Sequence, residues 1–149
     1  MLEALREAQY ALEEEEVPIG CVIVSPDVDG TERIIARGHN MTQQLKDPTA
    51  HAEMLTITSA TSVLGAKYLT DCTLYVTVEP CPMCASALYW GQIKRVVYGC
   101  EDPKRGAHLY QKILSENNAS LYHPKTEVVG GILKEQCATL IQEFFREKR

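Results

Sequence analysis

Two short segments of the chain carry residue types that can bind a metal ion. His51 and Glu53 stand two residues apart, and Cys81 and Cys84 stand three apart in the run Pro80-Cys81-Pro82-Met83-Cys84. On the first turn of a helix, the spacing of the cysteines puts both sulfurs on one side, and the free N–H groups there favour thiolates. One histidine and two thiolates make three ligands. A catalytic zinc site uses three protein ligands and keeps one position open for water.

Glu53 adds the carboxylate that hydrolytic chemistry requires, because zinc lowers the pKa of a bound water toward ~7 and a neighbouring carboxylate can carry the proton. Residues two apart on a helix do not share a face. His51 and Glu53 therefore converge only if the helix points its first turn into a pocket. Taken alone, the Cys81–Cys84 pair also suits a structural half-site or a thioredoxin-like redox pair.

Composition restricts the classes of protein to which the chain can belong. Its 149 residues, 45% apolar and 23% charged, suit a single globular domain over residues 1–149. The longest uncharged apolar stretch, Val17 to Val24, is far shorter than the roughly 20 residues of a membrane span. Six cysteines without a secretory signal predict reduced thiols and a cytoplasmic location. A net charge of −5 weighs against indiscriminate nucleic-acid binding, and no DNA partner is expected.

Alternating helical and strand patterns must position these residues, and they predict an α/β fold. Expected helices cover 1–15, Asp47 to Leu64, Cys81 to Tyr89, Leu109 to Leu114 and Ile132 to Glu147. Expected strands cover Ile19 to Val24, Arg33 to Arg37, Thr73 to Val78, Ile93 to Tyr98 and Glu127 to Val129. The strand–helix–strand series from Thr73 to Tyr98 implies parallel pairing with a right-handed crossover. We therefore predict a three-layer α/β/α sandwich around a mixed, about five-stranded sheet.

H-x-E followed by P-C-x-x-C, each opening a helix, is the signature of zinc nucleobase deaminases. The sequence resembles the cytidine deaminase-like superfamily and, within it, the bacterial tRNA adenosine deaminases. The segments DPTAHAE, EPCPMC and FFREKR are the more specific to this tRNA-editing branch. The resemblance is carried by EVPIGCVIV (16–24), GHN (38–40), DPTAHAE (47–53), TLYVTVEPCPMC (73–84), RVVYGCEDPKRGA (95–107), LYHPKTEVVGGIL (121–133) and EFFREKR (143–149).

The resemblance implies hydrolytic deamination of adenosine to inosine at the wobble position of tRNA, by a homodimer. It implies one zinc ion per subunit, held by His51, Cys81 and Cys84, with Glu53 as the proton shuttle. A deaminase of a free nucleobase or nucleoside such as guanine is the alternative within the same chemistry. A C-x-x-C redox protein and an inactive, zinc-stabilised RNA-binding module are the alternatives from other classes.

The resemblance also implies how the substrate is held. Asn40 would hydrogen-bond the purine, and the Ala52 backbone N–H would help to hold the base. The tRNA anticodon loop is the expected partner. The candidate RNA contacts are the basic residues Lys104, Arg105, Arg146, Lys148 and Arg149.

Four other features of the sequence carry weaker expectations. The Glu13–Glu16 run is expected to be a solvated helix end. Glu79, just before the cysteine motif, is expected to order that loop. Trp90 is expected in the core or at a dimer contact, with a stacking platform as the third alternative. The segment from His108 to Ser120 departs from the small residues found there in many members of the family, which bears on the choice of substrate rather than on the zinc chemistry.

Overall fold

The computed structural model describes residues 1–148, except for the side chain of Lys112. Arg149, one of the predicted RNA contacts, lies outside the described residues. Among the described residues, no helix combines the length and the apolar character that crossing a bilayer would require. The elements are α1 (Leu2–Glu13), β1 (Gly20–Pro26), β2 (Glu32–His39), α2 (Ala52–Leu64), β3 (Thr73–Val78), α3 (Pro82–Trp90), β4 (Arg95–Cys100), α4 (His108–Glu116), β5 (Glu127–Val129) and α5 (Lys134–Glu147).

The strands form one mixed sheet in the order β2-β1-β3-β4-β5. β1 pairs antiparallel with both β2 and β3, and it faces β3 with Val22 opposite Tyr75. β3 and β4 are parallel, with Leu74 opposite Val96, and β5 extends this parallel half. α3 connects β3 to β4, as the predicted crossover requires. The structure thus confirms the prediction of a mixed, five-stranded sheet.

Helices cover both faces of this sheet and produce three layers. On one face, α2 and α3 pack against β1 and β3 over a core of Cys21, Ile23, Ala52, Ala60, Leu74, Val76, Leu88 and Val96. On the other face, α1 and α5 pack against the ends of β3 and β4 around Val78, Cys100 and Cys137. Burial of these apolar side chains is the main force that holds the layers together.

Two glycines allow the second helical layer to lie close to the sheet. A Cβ atom at Gly20 would overlap the backbone of α1 at Ala4, and one at Gly99 would overlap the side chain of Cys137 on α5. Any larger residue would force these helices away from β1 and β4. At both of these helix–strand contacts, the absence of a side chain on glycine therefore makes room for the helix.

The second helix begins later than its sequence predicts. Asp47 does not cap it, because the Asp47 carboxylate accepts hydrogen bonds from the N–H (2.7 Å) and the hydroxyl (2.7 Å) of Thr49. Such local bonds favour a turn over a helix. Helix α2 begins at Ala52, and His51 precedes it with extended backbone angles (φ −71°, ψ 152°). The residues 47–50 are therefore a loop that brings His51 to the start of α2.

Candidate active site

Two separate segments bring His51, Cys81 and Cys84 together. His51 immediately precedes α2, and Cys81 immediately precedes α3, whose first residue is Pro82. Cys81 follows β3, so the cluster lies at the carboxyl end of the parallel strands, where α/β sheets bind their ligands. The His51 Nδ1 atom lies 3.7 Å from Cys81 Sγ and 3.5 Å from Cys84 Sγ. All three donor atoms lie within 4.8 Å of one another.

The geometry of this cluster fits a zinc ion. Tetrahedral zinc with Zn–N near 2.0–2.1 Å and Zn–S near 2.3 Å separates nitrogen from sulfur by about 3.6 Å. The two nitrogen–sulfur distances, 3.5 and 3.7 Å, agree with that value. Cys84 is buried, whereas His51 and Cys81 are only partly buried. The cluster is thus open on one side, as a catalytic rather than a closed structural site requires.

Glu53 lies in the first turn of α2 and is buried beside the sulfur atoms. Burial is the largest cause that raises the pKa of Glu53 to about 7, and the neighbouring Cys81 raises it further. The donor cluster found among the described residues does not include Glu53. The Glu53 carboxyl group therefore lies next to the three metal-binding side chains but is not one of the grouped donors.

Hydrogen bonds polarise the two thiols differently. The pKa of Cys81 falls to about 4, first because Cys84 donates a hydrogen bond to it and then because His51 does. The pKa of Cys84 is raised, chiefly by the same shared bond. The pKa of His51 is raised by its hydrogen bond with Cys81. The shared bond thus favours the thiolate at Cys81, and a bound cation would favour the thiolate of both.

Asn40 and Ala52 lie close to this cluster. Asn40 directly follows β2 and is buried, and the next residue, Met41, donates its N–H to Ala50 O (3.0 Å). That bond holds Asn40 beside the segment that leads into His51. Ala52 is the first residue of α2, and the first N–H groups of a helix have no partner within it. The loop that begins at Asn40 and the segment that leads into α2 are therefore neighbours.

The structure also reveals a residue that the sequence analysis missed. The prediction that the Glu13–Glu16 run is solvated is wrong for Glu16, which is fully buried. Helix α1 ends at Glu13, and Glu15 adopts a left-handed backbone conformation (φ 61°) that redirects the chain. The carboxylate of Glu16 then accepts a hydrogen bond from the side-chain amide of Asn40 at 3.0 Å. One cue existed in the sequence: Glu16 directly precedes the apolar run that forms β1.

Glu79 orders the loop that follows β4 rather than the cysteine loop. This buried carboxylate accepts a hydrogen bond from the His108 N–H (2.9 Å) and from the Asp102 N–H (3.3 Å), and it pairs with His108 Nδ1 at 2.6 Å. Asp102 in turn accepts hydrogen bonds from the N–H groups of Lys104 (2.9 Å) and Arg105 (3.0 Å). Glu79 thereby holds the two basic residues of this loop in place.

The basic residues predicted to contact RNA lie in two regions. The loop after β4 lies next to the cysteine segment, because the Ala107 N–H donates a hydrogen bond to Pro80 O (3.1 Å). At the end of α5, Arg146 pairs with Glu143 (3.9 Å), and Lys148 lies over the Phe144 ring (5.5 Å). A surface cleft of about 600 Å³ separates this helix end from the loop after Asn40; its lining residues include Gln43, Gln44, Phe145 and Lys148.

Trp90, at the end of α3, has 74% of its surface exposed. This exposure excludes the expected core position for its indole ring. Tyr89 packs edge-on against it, with ring centroids 5.8 Å apart. An exposed ring suits either of the other two predicted roles, a dimer contact or a stacking platform.

Comparison with known proteins identifies the family. Residues 1–100 match the family described as the cytidine and deoxycytidylate deaminase zinc-binding region. The tRNA-specific adenosine deaminase of Bacillus subtilis is 44% identical over 150 residues, which cover 100% of this chain and 88% of that protein. A solved structure from studies of A-to-I editing by tRNA deaminases at the wobble position superposes with a TM-score of 0.81 and 41% identity, covering 94% and 96% of the two chains.

A guanine deaminase structure from Bacillus subtilis is also similar, with 44% identity and a TM-score of 0.60. The match covers only 67% of this chain and 61% of that one. The similarity to the tRNA-specific enzymes, in contrast, extends over essentially the full length of both proteins. The chain therefore belongs to the cytidine and deoxycytidylate deaminase zinc-binding family, in which it groups with the tRNA-specific adenosine deaminases.

Proposed function

We propose that the protein is a zinc-dependent hydrolase that converts adenosine to inosine at the wobble position of tRNA. The observation that carries this proposal is the three-donor cluster of His51, Cys81 and Cys84 with the buried Glu53 beside it. It occurs in a chain that is similar over its full length to tRNA-specific adenosine deaminases.

His51, Cys81 and Cys84 hold the zinc ion, one per subunit, and Glu53 moves protons. When bound, zinc acts as a Lewis acid that lowers the pKa of a coordinated water toward ~7. In hydrolytic deamination, water adds to C6 of adenine and ammonia leaves, so protons must pass from the water to a ring nitrogen and to the departing amine. A carboxyl group with a pKa of about 7 can both accept and donate these protons near neutral pH.

Asn40 and the Ala52 N–H hold the adenosine against this centre. Both lie beside the start of α2, and Asn40 is held there by hydrogen bonds of its own. The base must leave any stack before it can enter such a pocket, and a base in a single-stranded anticodon loop is extruded at lower cost than a paired one. An RNA loop therefore suits this site better than a duplex.

The basic residues of the loop after β4 and of the end of α5 contact the RNA backbone in this proposal. Lys104 and Arg105 are held by Asp102 in the loop beside the cysteine segment, and Lys148 lines the cleft beside the loop that follows Asn40. Phosphate contacts position a nucleic acid without specifying its sequence. The full proposed set is Lys104, Arg105, Arg146, Lys148 and Arg149.

A test of the proposed function compares two substrates. Purified protein is incubated with an anticodon stem-loop that carries adenosine at the wobble position, and inosine is measured. The matched control is the same stem-loop with its adenosine moved one position along the loop. Free guanine is tested in parallel. We expect inosine from the first RNA alone, whereas xanthine from guanine without inosine from any RNA would contradict the proposal.

We further propose that residues 1–149 act as one deaminase domain and form a homodimer in the cytoplasm, where tRNA is modified. Exposed apolar side chains near the ends of α2 and α3 support a subunit contact: Val63, Tyr68 and Trp90. Light scattering tests this proposal. We expect the mass of a dimer for the unmodified chain and a shift toward the monomer for Trp90→Lys. A monomeric mass for the unmodified chain would contradict it.

A further inference from the structure

We propose that Glu16 is a positioning residue that fixes the side-chain amide of Asn40 and so decides which end of that amide meets the substrate. This inference depends on the proposed function, because it takes Asn40 to be a contact of the bound nucleoside. Glu16 itself acts through Asn40. It is fully buried and bonds the nitrogen end of the Asn40 side chain.

The two oxygens of Glu16 have separate tasks. Oε1 accepts hydrogen bonds from the backbone N–H groups of Gln43 (2.7 Å) and Gln44 (2.8 Å). Oε2 accepts hydrogen bonds from Asn40 Nδ2 (3.0 Å) and from the Thr42 hydroxyl (3.3 Å). A buried carboxylate is costly unless it is hydrogen-bonded, and these four bonds satisfy it. One oxygen therefore holds the loop, and the other holds the asparagine.

The orientation of the Asn40 amide follows from these bonds. A carboxylate only accepts hydrogen bonds, so the donor end of the amide must face Glu16. The second amide hydrogen is directed to the Thr42 hydroxyl, at 3.1 Å from Nδ2. Both hydrogens of the amide then have acceptors within the protein. The carbonyl oxygen is the end left for the substrate, and it can accept from a donor such as the amino group or a ribose hydroxyl of adenosine.

Glu16→Gln separates the two tasks of this residue. Its carbonyl oxygen can keep the bonds from Gln43 and Gln44, so the loop stays in place. Its amide nitrogen takes the position of Oε2 and confronts Asn40 Nδ2, donor against donor. The Asn40 amide must then turn its oxygen toward residue 16 and its nitrogen toward the substrate. We expect loss of activity through a reversed asparagine rather than through a displaced loop.

A double-mutant cycle tests this coupling. The kcat/KM for inosine formation from the wobble-adenosine stem-loop is measured for the unmodified protein, Glu16→Gln, Asn40→Ala and the double variant. We expect Glu16→Gln to lower kcat/KM at least about tenfold in the unmodified background and less than about twofold beside Asn40→Ala. Equal losses in the two backgrounds would overturn the proposal. Absence of inosine from the unmodified protein would instead refute the proposed function.

A charge swap gives a second, independent readout. In the Glu16→Gln/Asn40→Asp variant, the amide at position 16 can donate to the carboxylate at position 40, whose second oxygen again faces the substrate. We expect this swap to recover at least about fivefold in kcat/KM over Glu16→Gln alone, because it restores the donor–acceptor pairing. A swap variant no more active than Glu16→Gln would contradict the assigned orientation of the amide.

Two controls separate positioning from folding. Glu13→Gln changes an exposed glutamate of the same run in the same way and should leave kcat/KM within about twofold of the unmodified protein. Melting temperature and zinc content are measured for every variant. If Glu16→Gln does not fold, Thr42→Val is used, since it removes the other acceptor of Asn40 Nδ2. Its loss of activity should likewise disappear beside Asn40→Ala, and a loss that persists there would overturn the proposal.

Discussion

Cys84 is the most deeply buried of the three residues that surround the zinc position, with no exposed surface. Its sulfur lies 3.5 Å from His51 Nδ1. The hydrogen bond with Cys81 and burial raise the pKa of the Cys84 thiol. The protonation of each side chain in the cluster thus depends on its neighbours. A bound zinc ion would favour the thiolate form of both cysteines.

Cys84→Ala should therefore abolish zinc binding. Loss of a direct ligand should cost more than the roughly 10–100-fold in metal affinity that loss of an outer hydrogen-bond partner costs. Because metal binding is coupled to folding, the melting temperature should fall as well. Metal content and thermal unfolding of the purified variant measure both effects.

Cys137→Ala is the matched control for that prediction. Cys137 is equally buried, but it packs on the opposite face of the sheet with Val78 and Cys100. This variant should lose stability through its cavity and keep its zinc. Full zinc occupancy in Cys84→Ala, or zinc loss in Cys137→Ala, would show that the ligand has been wrongly assigned.

The sequence could predict which residue types surround the zinc position, because so few side chains can bind this metal. His51, Cys81, Cys84 and Glu53 were singled out by type, spacing and order, and the structure brings all four together. Glu16 could not be predicted in this way. Its partners are two backbone N–H groups, one side-chain amide and one hydroxyl, which only the folded chain brings to it.

At the scale of elements, the loop after β4 depends on one buried carboxylate. Glu79, at the end of β3, accepts hydrogen bonds from the N–H groups of Asp102 and His108 and pairs with the His108 ring. Lys104 and Arg105 lie between these two attachment points. The position of two proposed RNA contacts is thus set by a residue that directly follows β3, two positions before Cys81.

Glu79→Ala should release this loop. The variant leaves the N–H groups of Asp102 and His108 without their acceptor, at a cost of about 1–3 kcal/mol in the free energy of unfolding. Urea unfolding measures that cost, and limited proteolysis after Lys104 or Arg105 reports the release. Zinc content should stay unchanged, because Glu79 is not among the donors of the cluster. Protease resistance equal to that of the unmodified protein would contradict this account of the loop.

The helices and strands were easier to predict than the residues at which they begin and end. The strand at Thr73–Val78 has the same bounds in the structure as in the sequence prediction, because its β-branched run is buried in the middle of the sheet. The start of α2 was predicted five residues too early, at Asp47. Asp47 favours a helix cap and a local turn alike, and here its carboxylate forms the turn by accepting both hydrogen bonds from Thr49.

At the scale of the whole molecule, a protein with a net charge of −5 must bind a polyanion. Its acidic surface repels RNA in general, so binding depends on the few basic side chains near the site. Lys104 and Arg105 lie on one side of that site, and Lys148 lies at the end of α5. Basic residues in two separate regions favour the binding of an RNA loop that fits between them over the binding of a long RNA helix.

Salt dependence of RNA binding tests this distribution. Each phosphate contact to a single strand adds about −0.7 to the slope of log K against log salt concentration. Lys104→Gln/Arg105→Gln should therefore reduce the steepness of that slope by about 1.4 for the stem-loop. Lys67→Gln, which removes a lysine that lies over Tyr68, is the control and should leave the slope unchanged. An equal slope for the double variant would exclude both residues as phosphate contacts.

The most direct test of the central claim is the Glu53→Gln variant, with inosine and zinc measured in the same preparation. We expect full zinc occupancy, because Glu53 is not a ligand, and turnover of the wobble-adenosine stem-loop lowered by at least about 100-fold, because an amide cannot carry the proton. A variant that keeps its turnover, or one that is purified without zinc, would contradict the account.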